Sequence, residues 1–423
     1  MRTFFQAALL SLSILLATAP HALAQDSEQL VQVKHGQLHV VQTGSGAHTV
    51  IFESGFMTDL STWRKVAPAI AKNARVLLYS RAGIGKSPAR EQALTLSQHA
   101  EELQQLIAAS NIKGPMILVG HSYGGFVIRQ FAATYPAQVA GLVFVDPAIE
   151  TLELELKKID AQKVKQDQQR LASLAPPAAK ADLALVEAIF DQARLPNTAA
   201  LPDVPSVMMT SIQARKQNPF YQETAPALQV KRDLHAKFFQ QFSNGAHLVT
   251  NRSGHHIQMD EPHLVIGAIE QVISLLNKEA EQQARQLAKQ QARAALMQAM
   301  EKAGAALSKN QTDDARKIVS AGLTSSQFSE AEINQLGFDL MLKAKQAVLA
   351  EMVLKFNTEQ FPQSDNAFDS HGEALLELQR PEAAKVQFST AIALAKASGQ
   401  RSPKTIRAYE DNLQKAEQGI AKK

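Results

Sequence analysis

The chain has 423 residues, 45% of them apolar and 20% charged, which is enough for two or three domains with their own cores. Its 44 basic and 40 acidic residues nearly balance, and no dense Lys/Arg cluster with interleaved aromatics occurs, so a nucleic-acid partner is excluded from the expected functions. Cysteine is absent, which excludes disulfides and thiolate chemistry.

Residues 1–24 have the pattern of a secretory signal. Arg2 gives the positive start, an apolar run follows, and Ala22-Leu23-Ala24 fits a small-x-small cleavage site, so the mature chain is expected to begin near Gln25. The expectation is export across the inner membrane to a bacterial periplasm, with no stable membrane anchor after cleavage.

From Leu38 to Leu276 short apolar runs alternate with helical patterns. LHVVQTG, HTVIFESG, ARVLLYSR, MILVG, GLVFVD, VPSVMMTS and AHLVTN read as strands in that order. LSQHAEELQQLIAAS places Leu96, Leu103, Leu106 and Ile107 on one helical face. Buried strands joined by crossover helices predict an α/β fold, with a mostly parallel sheet covered on both faces. More than fifty residues separate GLVFVD from VPSVMMTS, and they read as helices broken at APPAA. This is longer than an ordinary crossover, so a helical cap is expected over about 147–203.

After Leu276 strand signals stop. Residues 279–300 read as a helical linker. Small residues recur at a period of about 34 through 301–423, as stacked helix pairs require. In Asp365–Lys396, Phe368, Gly372, Leu375, Ala384, Phe388 and Ala391 fit the tetratricopeptide pattern, and the segment resembles the tetratricopeptide-like tails of some bacterial hydrolases. Protein docking or self-association is the expected use of this region.

The chemistry centres on Gly120-His121-Ser122-Tyr123-Gly124, a G-x-S-x-G pattern between the strand MILV and the helix FVIRQFAAT. That context lifts the serine hydroxyl on a tight turn, as a nucleophile requires. A serine needs a base, and the base needs an orienting acid; where the serine stands on a strand-turn-helix of this kind, the expected chain order is serine, acid, histidine. His255 and His256 follow the last strand in SGHHIQMDEP. An oxyanion needs two preset N–H donors. The expected donors are the backbone of Tyr123 and, in FESGFMTD after an early strand, that of Phe56. Glu53 and Arg81 read as structural groups. RAGIGKSP lacks the leading glycine of a phosphate loop, Ser80 standing there instead, so no nucleotide site is expected. His255 and His256 are adjacent rather than spaced along a helix, so no metal is expected, and no cofactor is implied.

VIFESGFMTDLSTW, LLYSRAGIGKSPA, LVGHSYGG, GLVFVDPA and SGHHIQMDEP together resemble the α/β-hydrolase superfamily, in its order, over about residues 35 to 278. The resemblance implies an α/β-hydrolase domain at 25–278 and a serine hydrolase acting on a small ester-like substrate. It favours His255 over His256 as the base. The acid is expected at Asp146, because no carboxylate follows VPSVMMTS until Glu223 and GLVFVDPAIE resembles the acid segment of some lipases; Glu150 and Asp203 are lesser candidates. A serine nucleophile sets aside the dehalogenase and epoxide-hydrolase branches, which use Asp. Thioester, lactone and C–C bond hydrolysis remain alternatives, as does a helical-repeat binding scaffold with a vestigial hydrolase domain.

Overall fold

The computed structural model describes residues 26–90, 92–217 and 220–421, the side chains of Ala178 and Ala181 excepted. The expected signal at 1–24 lies outside the described residues. The chain divides into two compact units, Met1–Glu279 and Ala280–Lys423.

The first unit is built on one eight-stranded sheet. Its strands are β1 (Ser27–Val33), β2 (Gly36–Thr43), β3 (Thr49–Glu53), β4 (Arg75–Ser80), β5 (Met116–His121), β6 (Val139–Val145), β7 (Ser206–Ser211) and β8 (Gly245–Thr250), in the order β1-β2-β4-β3-β5-β6-β7-β8. β1 and β2 pair antiparallel, as do β2 and β4; every later pairing is parallel. Sequence periodicity gives no strand before Leu38, yet Ser27–Val33 forms β1. The reason is its place at the sheet edge, where only Val31 and Val33 are buried and the other residues, Leu30 included, face outward or are partly exposed.

Strands β3 to β7 are buried on both faces and send successive side chains into two cores, while edge strand β8 leaves Leu248 and Val249 exposed. Ile51, Leu118, Leu142 and Met208 point into one core, with α2 (Leu96–Ala109) and α3 (Gly124–Thr134). Val50, Phe52, Ile117, Val119, Val143 and Val207 point into the other. There they meet Trp63, the short helix α1 (Ala67–Ile70) and residues Val265 to Val272. The cap consists of α4 (Leu152–Leu174), kinked at Asp160, and α5 (Lys180–Gln192); Leu156 and Val164 of α4 pack on Tyr221 and on Ala227 of α6 (Ala225–Phe239). A short helix α7 (Ile257–Asp260) follows β8.

The boundary between the units falls inside α8 (Pro262–Ser308). The second unit continues with α9 (Thr312–Ser326), α10 (Glu330–Phe338), α11 (Ala347–Gln360), α12 (Asp365–Glu377), α13 (Pro381–Ser398) and α14 (Pro403–Ala421). Leu296 and Met300, within the stretch that reads as a linker, are buried with Val319, Leu323 and Leu354 in its core. The recurrent glycines mark close helix contacts. A Cβ on Gly337 would lie 2.5 Å from the Leu354 side chain, and one on Gly372 would lie 2.5 Å from Phe388. Among the described residues no helix is long and apolar enough to cross a membrane.

Candidate active site

β5 delivers the chain to Ser122, and α3 leaves from Gly124. Between them Ser122 has φ +51°, a left-handed conformation that costs a non-glycine residue on the order of 1–3 kcal/mol. The turn is held from below: Ser122 N–H donates to Val145 O at 3.2 Å, and Ser122 O accepts from Gly125 at 2.8 Å and from Ala148 at 2.9 Å. The flanking glycines are sterically required. A Cβ at position 120 would stand 2.7 Å from Gly124 O, and one at 124 would stand 2.5 Å from Glu53 O.

Asp146 sits at the tip of β6, also at positive φ (+42°), and is buried. Its Oδ2 lies 2.6 Å from His255 Nδ1. Ser211, at the tip of β7, donates its amide to Oδ1 at 2.9 Å and its hydroxyl to Oδ2 at 3.0 Å. Lys231 of α6 donates to Oδ2 at 2.7 Å. Burial alone would raise the carboxyl's pKa. The Lys231 charge and the His255 bond outweigh that penalty and hold Asp146 well below the usual carboxylate range.

His255 is half-exposed and held above the serine turn by its neighbours. His121 Nε2 contacts His255 O at 3.0 Å, and the two rings are 4.7 Å apart between centroids. Among the described residues no hydrogen bond joins Ser122 Oγ to His255; such bonds commonly tighten only when substrate is present. His256 packs against both rings, 5.1 Å from His121 and 5.5 Å from His255 between centroids, and it is His255 that bonds Asp146. His121 itself is buried. Burial, then the neighbouring His255, pushes its pKa well below the ordinary histidine value. Glu150 is taken by a two-pronged pair with Arg129, Asp203 by Ser243, and Glu223 by Phe220 N–H and Arg215; none of them bonds either histidine.

The loop after β3 runs close against the serine: a Cβ on Gly55 would lie 3.4 Å from Ser122 Cβ. Among the described residues no acceptor takes the N–H of Phe56 or of Tyr123. Buried Arg81 fixes this loop. Nη1 donates to Glu53 Oε1 at 2.6 Å and to Ser54 O at 2.7 Å, and Nη2 donates to Gly55 O at 2.6 Å. Its guanidinium also lies over the Tyr123 ring, 4.8 Å from the centroid. Burial pushes the Glu53 carboxyl up to about 7, against the pull of Arg81. From the cap, Asp182 approaches Arg81 Nε at 3.5 Å and His99 Nε2 at 3.7 Å. A cavity of about 540 Å³ opens beside His256, lined by Met57, Thr58, Arg64, Met259 and Asp260 among others.

Sequence reasoning named Ser122, Asp146, His255, Phe56 and Tyr123, and missed Ser211, Lys231 and Asp182. The absence of a carboxylate after β7 was the one signal toward Ser211: its amide and hydroxyl serve a carboxylate that arrives from β6.

Residues 48–233 match the family described as alpha/beta hydrolase fold. The uncharacterized protein YqjL of Bacillus subtilis is 27% identical over 226 residues, 53% of this chain and 83% of its own. Lipase LipV of Mycobacterium tuberculosis is 36% identical over 116 residues, 26% of this chain and 42% of its own. Among solved structures, carboxylesterase CesB of Bacillus subtilis superposes with a TM-score of 0.41 at 15% identity, covering 59% of this chain and 92% of its own.

Proposed function

We propose that the first unit, whose residues 48–233 match the family described as alpha/beta hydrolase fold, is a serine hydrolase cleaving a carboxylic ester through Ser122, His255 and Asp146. The observation that carries this is the 2.6 Å bond from His255 Nδ1 to buried Asp146, beside a serine raised on a left-handed turn. With Nδ1–H committed to the carboxylate, Nε2 is left as the basic nitrogen. Ser122 Oγ attacks the ester carbonyl and His255 Nε2 takes its proton. The oxyanion is met by the N–H groups of Phe56 and Tyr123. The C–O bond to the leaving alcohol then breaks, His255 returns the proton to that oxygen, and the acyl group stays on Ser122. Water, deprotonated by the same imidazole, attacks the acyl-enzyme and releases the acid and the free serine.

A panel of p-nitrophenyl esters of increasing chain length, with a thioester and a lactone beside it, tests the bond class. Turnover of short esters that vanishes in Ser122→Ala supports ester hydrolysis. Turnover of the thioester or lactone alone would move the assignment to that bond.

Two further parts belong to the proposal. Export to the periplasm rests on the signal-like residues 1–24, and an intact mass starting near Gln25 tests it. A tetratricopeptide-like docking or self-association role for Ala280–Lys423 rests on its paired helices and on the recurrence of Gly337 and Gly372. Light scattering of the full chain and of a fragment ending at Glu279 tests the self-association.

A further inference from the structure

Three donors converge on a single oxygen of Asp146. His255 Nδ1 lies 2.6 Å from Oδ2, Lys231 Nζ 2.7 Å and Ser211 Oγ 3.0 Å. Lys231 Nζ also donates to Ser211 Oγ at 3.2 Å, and its side chain is only 12% exposed. An acid in this position ordinarily does two things for a histidine: it fixes the tautomer, and it stabilises the cation that forms when the ring takes a proton. Here a second cation already occupies the oxygen that would do the second job. The imidazole keeps its orienting hydrogen bond while much of the carboxylate's charge is spent on the ammonium.

Building on the triad proposed above, we propose that Lys231 is a positioning residue that acts through Asp146 and sets the pH range over which His255 serves as a base. A like charge so close disfavours the protonated ring. Three other imidazoles face this pair. His235, on the same helix, is buried and bonded to Thr210 and to Pro147 O. His121 of β5 is buried beneath the ring, and His256, 5.5 Å away between centroids, faces Asp260 and Arg215. Lys231 is the one ammonium or guanidinium bonded to Asp146 among the described residues.

The test is a ¹⁵N-histidine NMR titration of the full chain, with His255 assigned through His255→Gln. It is run with the pH profile of kcat/KM on p-nitrophenyl acetate. Lys231→Met and Lys231→Gln are each expected to raise the His255 midpoint, and with it the acid limb, by about one pH unit; Lys231→Arg, which keeps the charge, is expected to restore both. Lys231→Gln keeps the test alive where the methionine variant does not fold. A midpoint that stays in place in the neutral variants, with activity lowered evenly at every pH, would make Lys231 a packing residue and overturn the proposal. The titration reads His255 directly, so its outcome stands apart from the hydrolase assignment: wild-type protein with no turnover and no reaction at Ser122 would sink that assignment alone.

Discussion

Ser211 grips Asp146 twice, its amide on Oδ1 and its hydroxyl on Oδ2, so that the tip of β7 holds the carboxylate supplied by the tip of β6. The two strands are parallel neighbours, with Val145 paired to Met209, and Asp146 N–H donates to Met209 O at 2.9 Å. Asp146 is therefore held by backbone groups of β7 on its amide and on Oδ1.

That fixation predicts a sharp separation between fold and activity at this residue. Asp146→Asn keeps the shape but loses the charge and the tautomer control, so kcat is expected to fall by about 10³–10⁴ with far-UV circular dichroism unchanged. A folded variant retaining more than about a tenth of the wild-type kcat, where the loss expected of a triad acid is orders of magnitude greater, would place the acid elsewhere.

Arg81 is predicted to matter through geometry rather than charge. Its fork spans the carbonyl oxygens of Ser54 and Gly55 and the Glu53 carboxylate at once, a reach that a single ammonium lacks. Arg81→Lys should let the Phe56 amide drift, lowering kcat on small esters by about 10–10²-fold with little change in KM. Steady-state kinetics on folded protein checks this; a kcat close to wild type would free the loop from Arg81.

Acidification should destabilise the first unit below neutral pH. Burial depresses His235 to about 3 from an ordinary 6.5 and pushes His121 well below that value too. The folded state thus keeps these rings neutral while the unfolded chain takes up protons below 6.5. Their contribution is intact above that pH and is lost as pH falls toward the folded values, at about 1.4 kcal/mol per group per pH unit. Urea titrations followed by Trp63 fluorescence at pH 7.5 and pH 5 should show the loss, and His235→Gln should flatten it. An unchanged slope in that variant would mean His235 is not carried neutral.

In the second unit Gly372 lies where Phe388 leaves no room for a methyl group. Gly372→Ala gains about 1 kcal/mol of helix propensity but incurs about 1–3 kcal/mol of overpacking, so a net loss is expected there. The chain's one tryptophan, Trp63, is in the first unit. Circular dichroism should therefore report the loss while Trp63 fluorescence and ester turnover stay unchanged; an unaltered melt by both probes would contradict the packing.

How much of this was legible in the sequence follows from where each interaction is encoded. Ser122 announces itself because the tight turn needs glycines at fixed local spacing. Asp146 stands at the end of one apolar run and His255 in the loop after another, and the resemblance of GLVFVDPAIE and SGHHIQMDEP to hydrolase segments singles them out from their neighbours. Glu53 and Arg81 were read as structural, and they form the buried pair behind the loop. Lys231 left no trace: in ALQVKRDLHAKFF a lysine among other charges reads as a solvated face, and only the packing of α6 against the sheet edge turns it inward. Asp182 is hidden likewise, because its partners, Arg81 and His99, lie far back in the chain on other elements.

The most direct measurement of the central claim is reaction with a fluorophosphonate probe followed by peptide mapping. One adduct on the peptide carrying Ser122 is predicted, lost in Ser122→Ala and strongly slowed in Asp146→Asn. A folded wild-type protein that takes up no probe, or takes it up at another serine, would contradict the assignment of Ser122 as the nucleophile.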